Sequence, residues 1–188
     1  MNTECQRPLM YRLLHWLMAA LVFAQLTDGW LFVHDQALLG AKAFAMGVHA
    51  SLGALTLLCA LTLAIWWIIR RGWRVTLQRD AGTWMAPAAV GMHATLLVLI
   101  GVEGALGFSG LTLVGSPVQV FGLNLPAFAG PHIGLGLALL AWERNLGLLL
   151  GSLVIGHAAA ALYHRFRLHD HVLGAMGLST PLRQHRPQ

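Results

Sequence analysis

Four histidines stand inside long apolar stretches of the chain, where an ionisable side chain is costly to place. They are His15, His49, His93 and His157, each in a different stretch. Ionisable residues inside a bilayer are rare, and they mark functional sites by default. Imidazole nitrogens are also common axial ligands of haem iron. The histidines therefore indicate a metal or redox centre that is held between membrane-spanning helices.

The composition is that of a membrane protein. Of the 188 residues, 57% are hydrophobic and 10% are charged, whereas soluble domains carry about 25% charged residues. We expect an all-α, integral membrane four-helix bundle that forms one domain over residues 1–188. Each span needs about 20 apolar residues, and the sequence predicts spans at about 11–32, 43–69, 87–108 and 138–166. Nucleic-acid binding is not expected, because the arginines flank apolar segments and form no basic face.

The positive charges are distributed unevenly along the chain. Ten of the twelve lysines and arginines lie in the N-terminal segment, the loop at 70–84 or the C-terminal segment. Only Lys42 and Arg144 fall on the other side of the bundle. By the positive-inside rule, both termini and the 70–84 loop are expected in the cytoplasm. Asp28 and His34 are then expected in the outer loop that follows the first span.

In this orientation, the depth of each histidine in the membrane indicates which histidines can face each other. His15 and His157 both fall in the cytoplasmic half, on the first and last spans. Two imidazoles that face each other across a bundle can hold one haem iron. The alanines at 158–161 are small, so a bulky flat group can lie against the helix beside His157. We predict His15 and His157 as the ligands of one haem.

A second site is suggested in the outer half of the bundle. His49 is the histidine at that depth, and position 143 lies fourteen residues before His157. That spacing places position 143 within about 40° of the same helix face and about 21 Å away. A ligand there would pair with His49, but the residue is Glu143.

Two other polar residues in the spans have open roles. His93 is expected beside a haem ring or a quinone, although a histidine near a helix end is often only hydrogen-bonded. Glu103 is either a proton-relay carboxylate or a group that is paired inside the bundle.

Several short motifs occur in a characteristic order. They are YRLLHW at 11–16, VHASLG at 48–53, MH at 92–93, FGLNLP at 121–126, and IGHAAAAL at 155–162, preceded by Trp142. In these motifs, over nearly the whole chain, the sequence resembles the bacterial cytochrome b-561 family. That resemblance implies a four-helix cytochrome with b-type haem in the bacterial inner membrane.

The resemblance also implies the ligands. His15 and His157 match the family's ligands of the haem on the cytoplasmic side, and His49 matches a ligand of the second haem. In the family, the partner of that histidine directly follows a tryptophan, where this chain has Glu143. The second haem is therefore open: it is absent, five-coordinate, bound by Glu143, or completed by His132.

The resemblance implies electron exchange between membrane quinone and a donor or acceptor on the periplasmic side. Some relatives resemble superoxide:quinone oxidoreductases, but a positive outer funnel would favour capture of that anion, and this chain has few outer cations. An alternative is the cytochrome b subunit of a respiratory dehydrogenase or hydrogenase. A non-haem membrane scaffold or transporter is a third possibility, and it would be colourless when purified.

The orientation can be tested with reporter fusions. We expect a reporter that is active only in the periplasm to be inactive when fused after Gln188, because most of the positive charge must stay inside. The same reporter fused after Gly130, in the outer connection, should be active. The opposite pattern would refute the orientation.

Overall fold

The computed structural model of the chain describes residues 7–34, 42–70, 84–128, 130–168 and 172–177. All four long helices are long and apolar enough to cross a membrane. They are α1 (Leu9–His34), α2 (Lys42–Ile69), α3 (Met85–Leu113) and α4 (Ile133–Tyr163). The predicted all-α membrane bundle is confirmed. Most of the 70–84 loop and the side chain of His34 lie outside the described residues.

The helical form of these segments follows from the bilayer. No water is available in the hydrocarbon core, so each span must satisfy its own backbone hydrogen bonds. The hydroxyl side chains of α2 also form their hydrogen bonds within their own helix. Ser51, Thr56 and Thr62 each donate to the carbonyl four residues earlier, at 2.6, 2.8 and 2.8 Å.

We call the end of the bundle near Arg7 and Met176 the inner end and the opposite end the outer end. The third and fourth helices are longer at their outer ends than the sequence predicts. α3 continues to Leu113, five residues past 108, and α4 begins at Ile133. The two ends are joined directly, because the His132 N–H donates to the Leu113 carbonyl at 2.7 Å. At its inner end α4 continues into a π-helical turn, His164–Leu168.

The 109–131 segment has no charged residue and contains Pro117, Pro126, Pro131 and several glycines, so the sequence predicts a loop on the membrane surface. The structure shows a β-hairpin within it. Strands β1 (Val118–Val120) and β2 (Leu123–Leu125) pair antiparallel. Phe121 and Gly122 form the turn, with φ values of 50° and 78°, as in the two-residue turns that suit hairpin twist. The Phe121 N–H donates to the Ser51 hydroxyl of α2 at 2.9 Å, which fixes the hairpin against that helix.

The core is shared by all four helices. Its buried members are Tyr11, Met18 and Val22 of α1, Cys59, Ala60 and Leu63 of α2, Ile100 of α3, and Leu150 of α4. The backbones of α1 and α2 lie close together, and so do those of α3 and α4. Helix α2 also packs against α3. Along the described residues, the backbones of α1 and α4 approach each other at few positions. Side chains therefore bridge the space between the first and last spans.

The segment after α4 returns to the start of α1. The short helix α5 (Val172–Ala175) accepts a hydrogen bond from the Arg7 N–H at 3.3 Å, on the Ala175 carbonyl. The Trp16 indole N–H donates to the Met176 carbonyl at 3.1 Å. These bonds hold the first turns of α1 and residues 175–176 together at the inner end of the bundle.

Glycines allow α3 and α4 to pack closely. A Cβ on Gly110 would lie 2.7 Å from the Leu140 side chain and 3.2 Å from the Gly136 carbonyl oxygen. A Cβ on Gly136 would lie 2.9 Å from the Gly110 carbonyl oxygen. Small residues of this kind let helix backbones approach in a membrane.

The packing predicts that Gly110→Ala destabilises the bundle. Overpacking of this kind costs about 1–3 kcal/mol, so the melting temperature of the purified protein should fall. Gly101→Ala is the matched control on the same helix, since a Cβ there meets nothing within 4 Å. Equal melting temperatures for the two variants would contradict the packing argument.

Candidate functional site

Three helices bring imidazoles together in the inner half of the bundle. His15 of α1, His93 of α3 and His157 of α4 form what we call the inner cluster. The ring centres of His15 and His157 lie 6.4 Å apart, and those of His93 and His157 lie 5.0 Å apart in an edge-on arrangement. The structure therefore brings His15 and His157, the two predicted ligands, close to each other at this depth.

His15 has an unsatisfied nitrogen. Its Nδ1 is buried and has no hydrogen-bond partner among the described residues. The ring lies edge-on to Trp16, at 5.6 Å between centres, and Trp16 is in turn anchored to the Met176 carbonyl. A buried polar atom without a partner is costly, so this nitrogen is suited to a ligand that the protein itself does not supply.

His93 differs from His15 in its hydrogen bonding. Its Nδ1–H donates to the Ala89 carbonyl of the preceding turn at 2.6 Å. That bond fixes the ring orientation. The ring edge then packs against His157. His93 thus lies against His157 in the inner cluster.

A second group of polar side chains occupies the outer half, and we call it the outer cluster. Its members are Gln25 and Asp28 of α1, His49 of α2, Glu103 of α3 and Glu143 of α4. The His49 Nδ1–H donates to Asp28 Oδ2 at 2.9 Å. The other ring nitrogen, Nε2, lies 2.9 Å from Gln25 Nε2 and 3.9 Å from Glu143 Oε1. His49 and Glu143 are therefore brought together, as their positions on the helices predict.

Glycine makes room for the carboxylate at position 143. A Cβ on Gly107 of α3 would lie only 2.6 Å from Glu143 Oε1. Two more glycines lie beside other members of the cluster. A Cβ on Gly53 would lie 3.4 Å from Gln25 Nε2, and a Cβ on Gly29 would lie 3.5 Å from His49 Cε1. The glutamate is thus accommodated by the backbone of the neighbouring helix.

Two members of the outer cluster were not expected from the sequence. Asp28 was predicted in the outer loop, and that prediction is wrong: it lies in α1 and accepts from His49. Gln25 was not singled out, although a polar residue three positions before Asp28 shares its helix face. His132, the other candidate partner of His49, is exposed at the start of α4.

The side-chain atoms that each cluster offers as metal ligands determine what it can bind. Among the described residues, no group of three or more His, Cys, Asp and Glu side chains is arranged to hold a bare metal ion. Two imidazoles on opposite sides of one metal place their ring centres about 6 Å apart, because metal–nitrogen bonds are about 2 Å long. The 6.4 Å between His15 and His157 is close to that value. The outer cluster offers one imidazole among carboxylates.

Comparison with known proteins gives one result. No curated protein matches the chain. A model of the prokaryotic cytochrome b561 family matches residues 6–178, which include all four spans and both clusters. The chain therefore belongs to the prokaryotic cytochrome b561 family.

Proposed function

We propose that this protein exchanges electrons between membrane quinone and a redox partner on the periplasmic side, through one haem b in the inner cluster. The family is that of membrane haem b electron-transfer proteins. The carrying observation is that His15 and His157 face each other across the gap between α1 and α4. An iron held by two imidazoles changes its oxidation state without an open position for oxygen.

The residues of the inner cluster fit a haem. His15 and His157 would supply the two axial ligands. The buried Nδ1 of His15 has no hydrogen-bond partner among the described residues, and it would gain one if the ring turned and this nitrogen bound the metal. Gly156 has open space beside it, and the alanines at 158–160 are exposed. These small residues leave a flat surface next to His157 for a macrocycle.

His93 would act as a positioning residue in this arrangement. Its ring packs edge-on against His157 and is held by the Ala89 carbonyl. That contact restricts the rotation of the His157 imidazole. The surrounding apolar core, including Tyr11 and Met18, would exclude water from the site.

The outer cluster favours a neutral partner over an anionic one. Asp28, Glu103 and Glu143 bring three carboxylates to this half of the bundle, against one imidazole. Negative potential repels anions, so the cluster gives no support to superoxide as the donor at this position. Quinone and quinol are neutral and soluble in the bilayer, which agrees with a site inside the spans.

The axial ligands can be tested by substitution. We expect His15→Ala and His157→Ala each to abolish the same low-spin haem spectrum, because each removes one ligand of one iron. His132→Ala, at an exposed position, is the matched control and should keep the spectrum. His93→Ala should retain haem, with a changed spectrum or lower occupancy. A normal six-coordinate haem at full occupancy in either ligand variant would refute the pairing.

The haem content of the chain provides a second test. We expect one haem b per native chain by pyridine haemochrome and one low-spin signal in the native spectrum, because Glu143 stands where a second bis-histidine centre would need an imidazole. Glu143→His should raise the content to two, since the fourteen-residue spacing aligns both positions of α4. Two equal low-spin haems in the native protein would contradict the single-haem proposal.

A further inference from the structure

A shallow groove runs along one face of α2 near the inner end of the bundle. It has a volume of about 370 Å³ and is lined by Thr62, Ile65, Trp66, Ile69 and Arg70, and we call it the inner groove. These residues recur at intervals of three and four, so they share one helix face. Ile65 and Ile69 are 55% and 70% exposed. The groove is therefore open to the surrounding bilayer, apart from the histidines of the inner cluster.

The inner groove matches a lipid acyl chain in length and in polarity. Thr62 and Arg70 at its two ends are eight positions apart, which corresponds to about 12 Å along a helix. One leaflet contributes about half of the 30 Å hydrocarbon core, or about 15 Å. The Thr62 hydroxyl donates to the Leu58 carbonyl at 2.8 Å, so its proton is already used. The deep end of the groove is thus suited to a hydrocarbon chain.

A cation lies at the mouth of the inner groove. The guanidinium carbon of Arg70 lies 5.1 Å from the centre of a Trp66 ring, at the distance of a cation–π contact. Trp66 packs against the core of the bundle, so this contact holds the guanidinium beside the groove. The span ends at Ile69, which places Arg70 at the level of the lipid headgroups.

The charge around this mouth is complementary to an anion. Among the described residues, no carboxylate pairs with Arg70. The sequence from 70 to 84 contains four arginines, Arg70, Arg71, Arg74 and Arg79, against the single acid Asp80. Basic segments directly beside a span attract anionic lipids, and arginine binds phosphate through two parallel hydrogen bonds. A phosphate group is therefore favoured at this position.

A helix from a second copy or from another membrane protein is the competing occupant. Helices approach each other closely in a membrane through small residues. The inner groove instead presents two isoleucines, a tryptophan and an arginine. These bulky side chains keep a helix backbone at a distance, whereas a flexible acyl chain can follow the spaces between them. The composition of the groove favours a lipid.

We propose that the inner groove is a binding site for a phospholipid whose headgroup carries a net negative charge. One acyl chain packs along Ile65 and Ile69 towards Thr62. The phosphate oxygens accept hydrogen bonds from the Arg70 guanidinium, which Trp66 holds in place. The site discriminates against zwitterionic phospholipids, because their headgroup amine is repelled by the arginines that follow the span.

Native mass spectrometry of the detergent-solubilised full chain tests the proposal. Phosphatidylglycerol and phosphatidylethanolamine with identical acyl chains are added in equal amounts, and the lipids retained are counted. We expect the native protein to retain one phosphatidylglycerol preferentially. Arg70→Gln should weaken its Kd about fivefold or more, as for the loss of one basic residue near the headgroups. Arg165→Gln, which removes a cation of the π-helical turn at the same end, is the matched control and should stay within about twofold of the native Kd.

A second variant tests the acyl-chain part of the inner groove. Thr62→Trp fills the deep end while Arg70 remains, and it should abolish the preferential retention of phosphatidylglycerol. Glycerophosphoglycerol, the same headgroup without acyl chains, should not displace the lipid from the native protein.

Three outcomes would overturn the inference. The first is equal weakening by Arg70→Gln and Arg165→Gln, which would indicate surface charge alone. The second is equal retention of the two lipids by the native protein. The third is a native dimer that Thr62→Trp dissociates, which would assign the groove to a second copy. The His15-dependent haem spectrum should be the same in all these variants, so its absence from the native protein would refute the proposed function alone.

Discussion

The absence of water in the bilayer core is the constraint on which this structure depends. Backbone groups satisfy it through long helices, and hydroxyl side chains of α2 satisfy it through bonds to their own helix. The remaining polar side chains cannot be solvated individually, so they gather where helices face one another. The inner and outer clusters are the result, and each lies at one depth of the same four-helix frame.

The two clusters differ in chemistry although they share helices. The inner cluster contains only imidazoles, which are neutral nitrogen ligands suited to iron. The outer cluster sets one imidazole among carboxylates and an amide. Glu143 is one of the groups that make this difference, and Gly107 of the neighbouring helix leaves room for its carboxylate.

Local sequence pattern was sufficient to predict the helices and the main contacts of the site. Long apolar segments predicted all four spans. Depth in the bundle placed His15 near His157, and the fourteen-residue spacing on α4 placed Glu143 near His49. The hairpin at 118–125 was missed because its two strands are only three residues each, too short for an alternating pattern. Asp28 was misplaced because a charged residue near a helix end resembles a loop residue, and its partner His49 lies on another helix.

The contact between α1 and the segment that contains Met176 has a consequence for biosynthesis. Trp16 enters the membrane early, but its partner, the Met176 carbonyl, lies 160 residues further along the chain. During translation, this hydrogen bond therefore cannot form until the last span has been inserted. His15 likewise lacks its neighbour His157 throughout that interval, because α4 has not yet been made.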